Sequence, residues 1–277
     1  MKPINPTRAG LVLALLAAVS SILAAPDLKA ADLKAADVKA ADLRAVEILA
    51  KADAIRNPQM SFVVDVALTA YENSQQTDST LVTTHSRKET ETGQFLSLVH
   101  INQPVRDDGK LLLRNGNILW FYDPASKASV RLSPRQRLVG NASNGDVVTA
   151  NFALDYAVEL AGEEEVTDGD RKSRPAYRLN LVSQSDITPY HAITLWVDRT
   201  NHRPLKGQFF AQSGRLLKVA WYRGWEPVLG ETRPTEVIIA DGFDPKKVTV
   251  MKMSNYRPQD LPPSWFSNSW LPHFRKQ

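Results

Sequence analysis

Ser143, Asp146, Asp155 and His191 are the residues of this 277-residue chain that could be arranged as a hydrolytic set. They would supply a hydroxyl nucleophile, an imidazole base and carboxylates to orient it. Their surroundings argue against that chemistry. Ser143 stands in Asn141-Ala-Ser-Asn-Gly-Asp146, not in a Gly-x-Ser-x-Gly turn, and no paired-carboxylate motif accompanies it. The five histidines, at 85, 100, 191, 202 and 273, fall in no His-Glu-x-x-His or similar ligand spacing. The chain has no cysteine, which excludes a thiolate nucleophile, thiolate metal ligands, disulfides and a lipidated N-terminal Cys. No enzymatic activity, metal or cofactor is expected.

The most informative stretch is 133–156. It follows the aromatic strand candidate Ile118–Asp123 and interrupts a run of strand-like segments with a polar insert rich in Asn and Gly. Ser133-Pro134 has the chemistry of a helix start, and Gly140 is placed to end that turn. Asn141–Asp146 reads as loop, and Val147–Phe152 as a second short helix. Arg135, Arg137, Asn144 and Asp146 are the candidates here for shaping a cavity mouth, meeting an anionic head group or docking a partner.

The elements that must position this insert are mostly strands. Ala45, Ile48, Leu49, Ala52 and Ile55 form one stripe of an amphipathic helix, which Asn57-Pro58 ends. From Phe62 the apolar period shifts to two. Strand candidates follow at about 79–89, 94–102, 110–114, 117–123 and 128–132. After the insert they resume at about 154–166, 174–183, 190–198, 205–212, 215–223, 233–241 and 247–255. Asn115-Gly116, Asp168-Gly169 and Ser213-Gly214 supply turn residues between them. The pattern predicts a mainly β chain of ten to twelve short antiparallel strands with a few helices, in a sheet or barrel. Several strands are apolar on both faces: Ile118, Trp120 and Tyr122 alternate with Leu119 and Phe121, and Trp196 opposes Leu195 and Val197. A one-sided antiparallel sheet alternates more cleanly, so both faces must be covered or one must line an apolar cavity.

The first 25 residues have Lys2 and Arg8, an apolar run over 9–25 and small residues at its end, the pattern of a secretory signal peptide. An uncleaved inner-membrane anchor is the alternative. Residues 26–44 fall in a pentapeptide repeat of the type Ala-Asp-Leu-Lys-Ala, whose five-residue period turns each apolar residue to a new helical face. It reads as a solvated spacer, with the folded domain over 45–277. Without 1–25 the chain carries 32 basic and 30 acidic residues, which gives no ground for a nucleic-acid surface.

Several segments, taken as an ordered series, resemble the LolA-like family of outer-membrane lipoprotein-sorting proteins. They are Ile118-Leu-Trp-Phe-Tyr-Asp-Pro124, Val130-Arg-Leu-Ser-Pro-Arg-Gln-Arg-Leu138, Ser143-Asn-Gly-Asp146, Asn151-Phe152 and Asp155-Tyr156. Later come Leu195-Trp-Val-Asp198, Arg203-Pro-Leu205, Phe209 to Lys218 and Arg233-Pro-Thr235. The resemblance spans roughly 45–272. It implies an incomplete, strongly curved antiparallel β-barrel closed by helices. It further implies a periplasmic carrier or chaperone for lipid or lipoprotein acyl chains, with transient membrane contact. An inner-membrane exporter of the resistance-nodulation-division type is the partner it suggests. The repeat departs from the family pattern, and Arg135 and Arg137 are the candidates for the lid-controlling arginine of lipoprotein carriers.

An acyl carrier needs a dry cavity with large adaptable walls. The candidates for its lining are Phe95, Leu98, Trp120, Tyr122, Trp196, Phe209, Trp221, Met251 and Met253. Which strand face they share is not fixed by alternation alone. The competing reading is an envelope sensor or interaction module that binds a partner protein.

Overall fold

The computed structural model describes residues 42–275 apart from 117, 186 and 187. The expected leader and residues 26–41 of the expected spacer lie outside the described residues, while 42–44 form the first residues of the helix that follows. Close contacts divide the chain into residues 1–43 and a unit of 44–277. Helix α1 (42–56) buries the stripe Ala45, Ile48, Leu49 and Ala52. Among the described residues no helix is long and apolar enough to cross a membrane.

Two antiparallel meanders follow. The first is β1 (Phe62–Glu72), β2 (Gln75–Lys88), β3 (Phe95–Gln103), β4 (Leu111–Asn115), β5 (Ile118–Asp123) and β6 (Ala128–Leu132). The insert holds a ribbon of β7 (Arg137–Val139) and β8 (Ala142–Ser143), then the single helical turns α2 (Asn144–Val147) and α3 (Phe152–Asp155). The second meander is β9 (Tyr156–Thr167), β10 (Ser173–Ser183), β11 (Ala192–Asp198), β12 (Pro204–Phe210), β13 (Leu216–Val228), β14 (Glu231–Asp241) and β15 (Lys247–Pro258). Pairing of β1 with β15, from Phe62↔Pro258 to Glu72↔Lys247, joins the meanders into one curved sheet of thirteen strands. The sheet is open, with β6 and β9 at its edges. β6 is short, and β9 carries Glu159, Glu163, Glu164 and Glu165, charges that discourage edge-to-edge pairing.

The incomplete antiparallel barrel expected from the sequence is the observed fold, with thirteen strands in place of ten to twelve because none of the candidate segments merges with its neighbour. The insert differs from expectation. No helix runs from Pro134 to Gly140. Gln136 N–H closes a turn on Ser133 O, and the carbonyls of Pro134 and Gln136 accept from Gly145 and Asn144 at 2.9 Å. Backbone groups that a helix would have used internally thus tie the two halves of the insert together. The second helix is replaced by two turns on either side of Val148–Asn151. Asp146 accepts from Ser143 N–H at 2.7 Å, which starts α2 early, and Asn151 caps Leu154 N–H at 3.2 Å, which starts α3 late.

The strands that are apolar on both faces have both faces covered. The inner face packs against α1 and the insert in one large core. On the outer face the C-terminal segment, with 3-10 turns over Pro263–Phe266 and Asn268–His273, lays Leu261, Phe266 and Leu271 on Val63, Leu96, Leu98, Leu111, Leu113 and Tyr122. Asn115 donates to Phe266 O at 2.7 Å and Arg87 to Leu261 O at 2.5 Å, which fixes that cover.

Candidate functional site

The insert crosses the inner face of the sheet and leaves space beneath it. A cavity of about 140 Å³ lies between α2, the stretch 147–152 and the inner face of β1, β13, β14 and β15. Its walls are mainly apolar, with Phe62, Val66, Phe209, Val237, Met251 and Met253 among them. Two further spaces flank the insert on its other sides. One of 230 Å³ lies toward Arg114, Leu119 and Pro189, and one of 260 Å³ toward Ile101, Leu112 and Phe121.

Three polar anchors fix the insert. The first is Asp146, whose carboxylate meets the Lys218 ammonium of β13, accepts from Tyr190 Oη at 2.7 Å and from Ser143 Oγ at 3.0 Å. Lys218 is buried and its ammonium also lies over the Tyr190 and Phe209 rings, at 4.6 and 5.3 Å. Burial works to raise the Asp146 pKa, but the Lys218 charge and the surrounding donors outweigh it and hold the carboxyl below its usual range. Burial, with the Asp146 charge, pushes Tyr190 well above the ordinary tyrosine value, so it stays a donor.

The second anchor is the end of α1. Arg56 and Asp53 form an ion pair at 2.5 Å, Asp53 accepts from Ala153 N–H at 2.7 Å, and Asn57 donates to Ala150 O at 2.8 Å. The Arg56 guanidinium covers the Phe152 ring at 3.7 Å. Burial raises the Asp53 carboxyl to about 6 despite the Arg56 charge. The third anchor is Arg114 of β4, which grips Asp155 through contacts of 2.9 and 3.2 Å and donates to Thr149 O at 3.1 Å. Thr84 adds a bond to Val147 O at 2.9 Å.

The lining candidates separate into two groups. Phe209, Met251 and Met253 face the cavity, and Asp146 joins them as its polar anchor. Phe95 points inward but packs edge-on against Phe62, 6.2 Å between centroids, instead of lining the space. Leu98, Trp120 and Tyr122 point outward and belong to the cluster under the C-terminal segment. Trp196 and Trp221 also point outward, on either side of the Lys206 ammonium. The structure therefore does not bring these five together with the cavity. Strand parity is the reason, since Leu119 and Phe121 take the inward positions of β5. Of the mouth candidates, Arg137 and Asn144 line the 260 Å³ space, and Arg135 donates to Thr188 O at 3.3 Å.

Lys218, Tyr190, Arg56, Asp53 and Arg114 were not singled out from sequence. Lys218 carries a readable signal, being a lone cation at the inward parity shared with Ala220 and Tyr222. The hydrolytic set is not assembled. Asp155 is committed to Arg114, and the Ser143 hydroxyl lies 3.0 Å from both Asp146 and Tyr190, with no imidazole among its hydrogen-bond partners. Among the described residues no three His, Asp or Glu side chains are grouped to hold a metal.

A family model described as an uncharacterized protein matches residues 93–273. A LolA superfamily protein from Nitrosomonas europaea is 35% identical, over 82% of this chain and 98% of its own, with a TM-score of 0.73. A putative outer membrane lipoprotein-sorting protein domain from Vibrio parahaemolyticus is 20% identical over 83% and 99%, with a TM-score of 0.67. A DUF1329 family protein from Desulfovibrio piger is 21% identical over 84% and 98%, with a TM-score of 0.69. The last two show the fold alone. No curated protein matches this chain.

Proposed function

This chain belongs to the LolA superfamily, and we propose that it is a periplasmic carrier that shelters an acyl chain of a lipid or lipoprotein beneath its insert during envelope sorting. One observation carries the reading: the inner face keeps an apolar cavity whose cover is fixed by side-chain ion pairs and hydrogen bonds, not by sheet pairing. Moving a buried CH₂ into water costs about 0.8 kcal/mol, so a chain of about 15 such groups resists aqueous transfer by roughly 12 kcal/mol. A dry apolar wall removes most of that barrier without any catalytic group. The Ser143 hydroxyl, bonded within the first anchor, is not poised as a nucleophile.

The 140 Å³ cavity is close to the roughly 150 Å³ that accommodates one benzene ring. A space of that size fits a carrier with its insert closed down on the sheet. The flanking spaces border the same insert, so shifting residues 144–152 would join them into a groove able to take a longer chain.

Native mass spectrometry of the protein from a bacterial periplasm, with parallel lipid extraction, tests the reading. A bound species of phospholipid or acyl-peptide mass is expected. Met251→Glu, which places a carboxylate on the cavity wall, should weaken uptake of a fluorescent fatty acid at least tenfold. Trp221→Glu on the outer face should leave it unchanged. A wild-type protein that is empty and takes up no probe would overturn the carrier reading in favour of a partner-binding module.

A further inference from the structure

The hairpin tip between β14 and β15 exposes an aromatic side chain on a rigid support. Phe243 is 95% exposed. Its loop is built to hold it there. Asp241 accepts from Phe243 N–H at 2.9 Å and from Asp244 N–H at 3.0 Å, and Asp244 accepts from Lys246 N–H at 3.1 Å. Gly242 donates to Leu217 O at 2.9 Å and sits so close to β13 that a Cβ would come within 2.5 Å of Leu216 O. The neighbouring β1–β2 turn braces the tip through Asn73 N–H to Lys246 O at 3.2 Å.

Around Phe243 stand the exposed cations Lys246, Lys247 and Arg215. Lys247 lies 3.8 Å from both Glu72 and Asp244. Among the described residues Lys246 and Arg215 form no ion pair, and Asp241 accepts the loop's own amides. We propose that this tip is a membrane-docking element, with Phe243 entering the interfacial layer and Lys246 and Arg215 meeting anionic phosphate headgroups.

The chemistry of the surroundings favours a bilayer over a protein partner. A specific protein interface buries upward of about 1,000 Å². The next turn, joined to this tip by Asn73 N–H to Lys246 O, carries the exposed polar Asn73, Ser74, Gln75 and Gln76 and offers no large apolar side chain. An interfacial anchor needs less: one aromatic ring at headgroup depth and cations to pair with phosphates. The tip also lies next to the first insert anchor, because Lys218 pairs in register with Asp241. The inference does not depend on the carrier reading, since docking is measured without any cargo.

The chain has no cysteine, so Phe243→Cys and Val105→Cys each carry one thiol for an environment-sensitive dye. Val105, 90% exposed on the β3–β4 connection, is the control for exposure alone. Vesicles of phosphatidylethanolamine and phosphatidylglycerol should shift the dye at 243 to the blue and leave the dye at 105 in water. Lys246→Glu or high salt should weaken that shift several-fold. In vesicle flotation, Phe243→Ser should reduce binding about tenfold. A dye at 243 that stays in water, an equal response at 105, or a shift produced only by periplasmic protein overturns the proposal.

Discussion

Replacing Lys218 with Met removes the cation that holds the insert to β13. Breaking a buried ion pair costs about 3–5 kcal/mol, because the remaining charge loses its partner. Asp146 would keep three donors, Ser143 N–H, Ser143 Oγ and Tyr190 Oη, at 2.7, 3.0 and 2.7 Å. That argues for the lower end, about 3 kcal/mol, or a urea midpoint lowered by about 1 M. The loss should be local first. Amide exchange at Asn144 and Gly145, whose N–H groups bond Gln136 O and Pro134 O, should speed up by about 100-fold while β10–β12 stay protected. A second signature is the sign of the pH dependence. With Lys218 present the Asp146 carboxyl is held low, so its contribution exists at neutral pH and is lost as pH falls through its folded value. Without Lys218 burial dominates, the carboxyl rises, and acidification should stabilise the variant. Unchanged exchange in the insert, or the same sign of slope at Asp146 in both proteins, would refute the anchor.

Other perturbations have comparably definite outcomes. Gly140→Ala should cost at least 2 kcal/mol in urea unfolding, because the residue has φ +52° and a Cβ would lie 2.3 Å from Thr249 Oγ1 and 2.7 Å from Ala70 Cβ; a neutral result would mean that the β7–β8 ribbon does not sit on β1 and β15. Burial lifts Asp53 to about 6 and pulls His85 down to about 4, so their linkages oppose one another. Asp53 binds its proton more tightly when folded, and its contribution shrinks as pH rises from about 4 to 6; His85 binds more weakly when folded, and its contribution shrinks as pH falls from about 6.5 to 4. Urea midpoints of Asp53→Asn should therefore fall more steeply on acidification than those of wild type, and His85→Leu should tilt the other way; identical profiles in all three would reject both assignments.

Much of this molecule is legible in the sequence because its signals are local. The stripe from Ala45 to Ala52 and the alternation from Phe62 onward mark α1 and β1 without reference to anything else. The division of the aromatic residues between two faces is not local. Trp120 and Phe121 are both compatible with a core, and only the C-terminal segment, more than a hundred residues away, determines that Trp120 and Tyr122 face outward. The insert's conformation is set non-locally as well. Ser133-Pro134 has helix-start chemistry, but the carbonyls of Pro134 and Gln136 find partners at Gly145 and Asn144, beyond any single helical turn. The anchors were hidden because Lys218, Arg114 and Arg56 each acquire a buried partner from a distant element. An isolated charge in an apolar strand is the trace they leave, and Lys218 in Leu216-Leu-Lys-Val-Ala shows it best.

The two covers of this sheet follow opposite designs, and the contrast bears on which side the proposed carrier would use. The outer cover is aromatic and packed, with Trp265 and Phe274 edge-on to each other and to His85 at 5.7–6.0 Å. The space it leaves is bordered by Asp65, Asn102, Arg257 and His100, a poor setting for an acyl chain. The inner cover is fixed by two ion pairs and by hydrogen bonds of Asp53 and Asn57 to Ala153 and Ala150, and leaves an apolar space with methionine on its wall. Buried ion pairs contribute little more than well-packed apolar residues would, so gross stability does not explain their use here. What they do provide is defined position: they hold the insert in one register, and exposing the apolar surface beneath it would require several polar contacts to separate together. A reversible cover over a greasy wall requires that combination, and it occurs on the inner face, where Met251 and Met253 line the cavity.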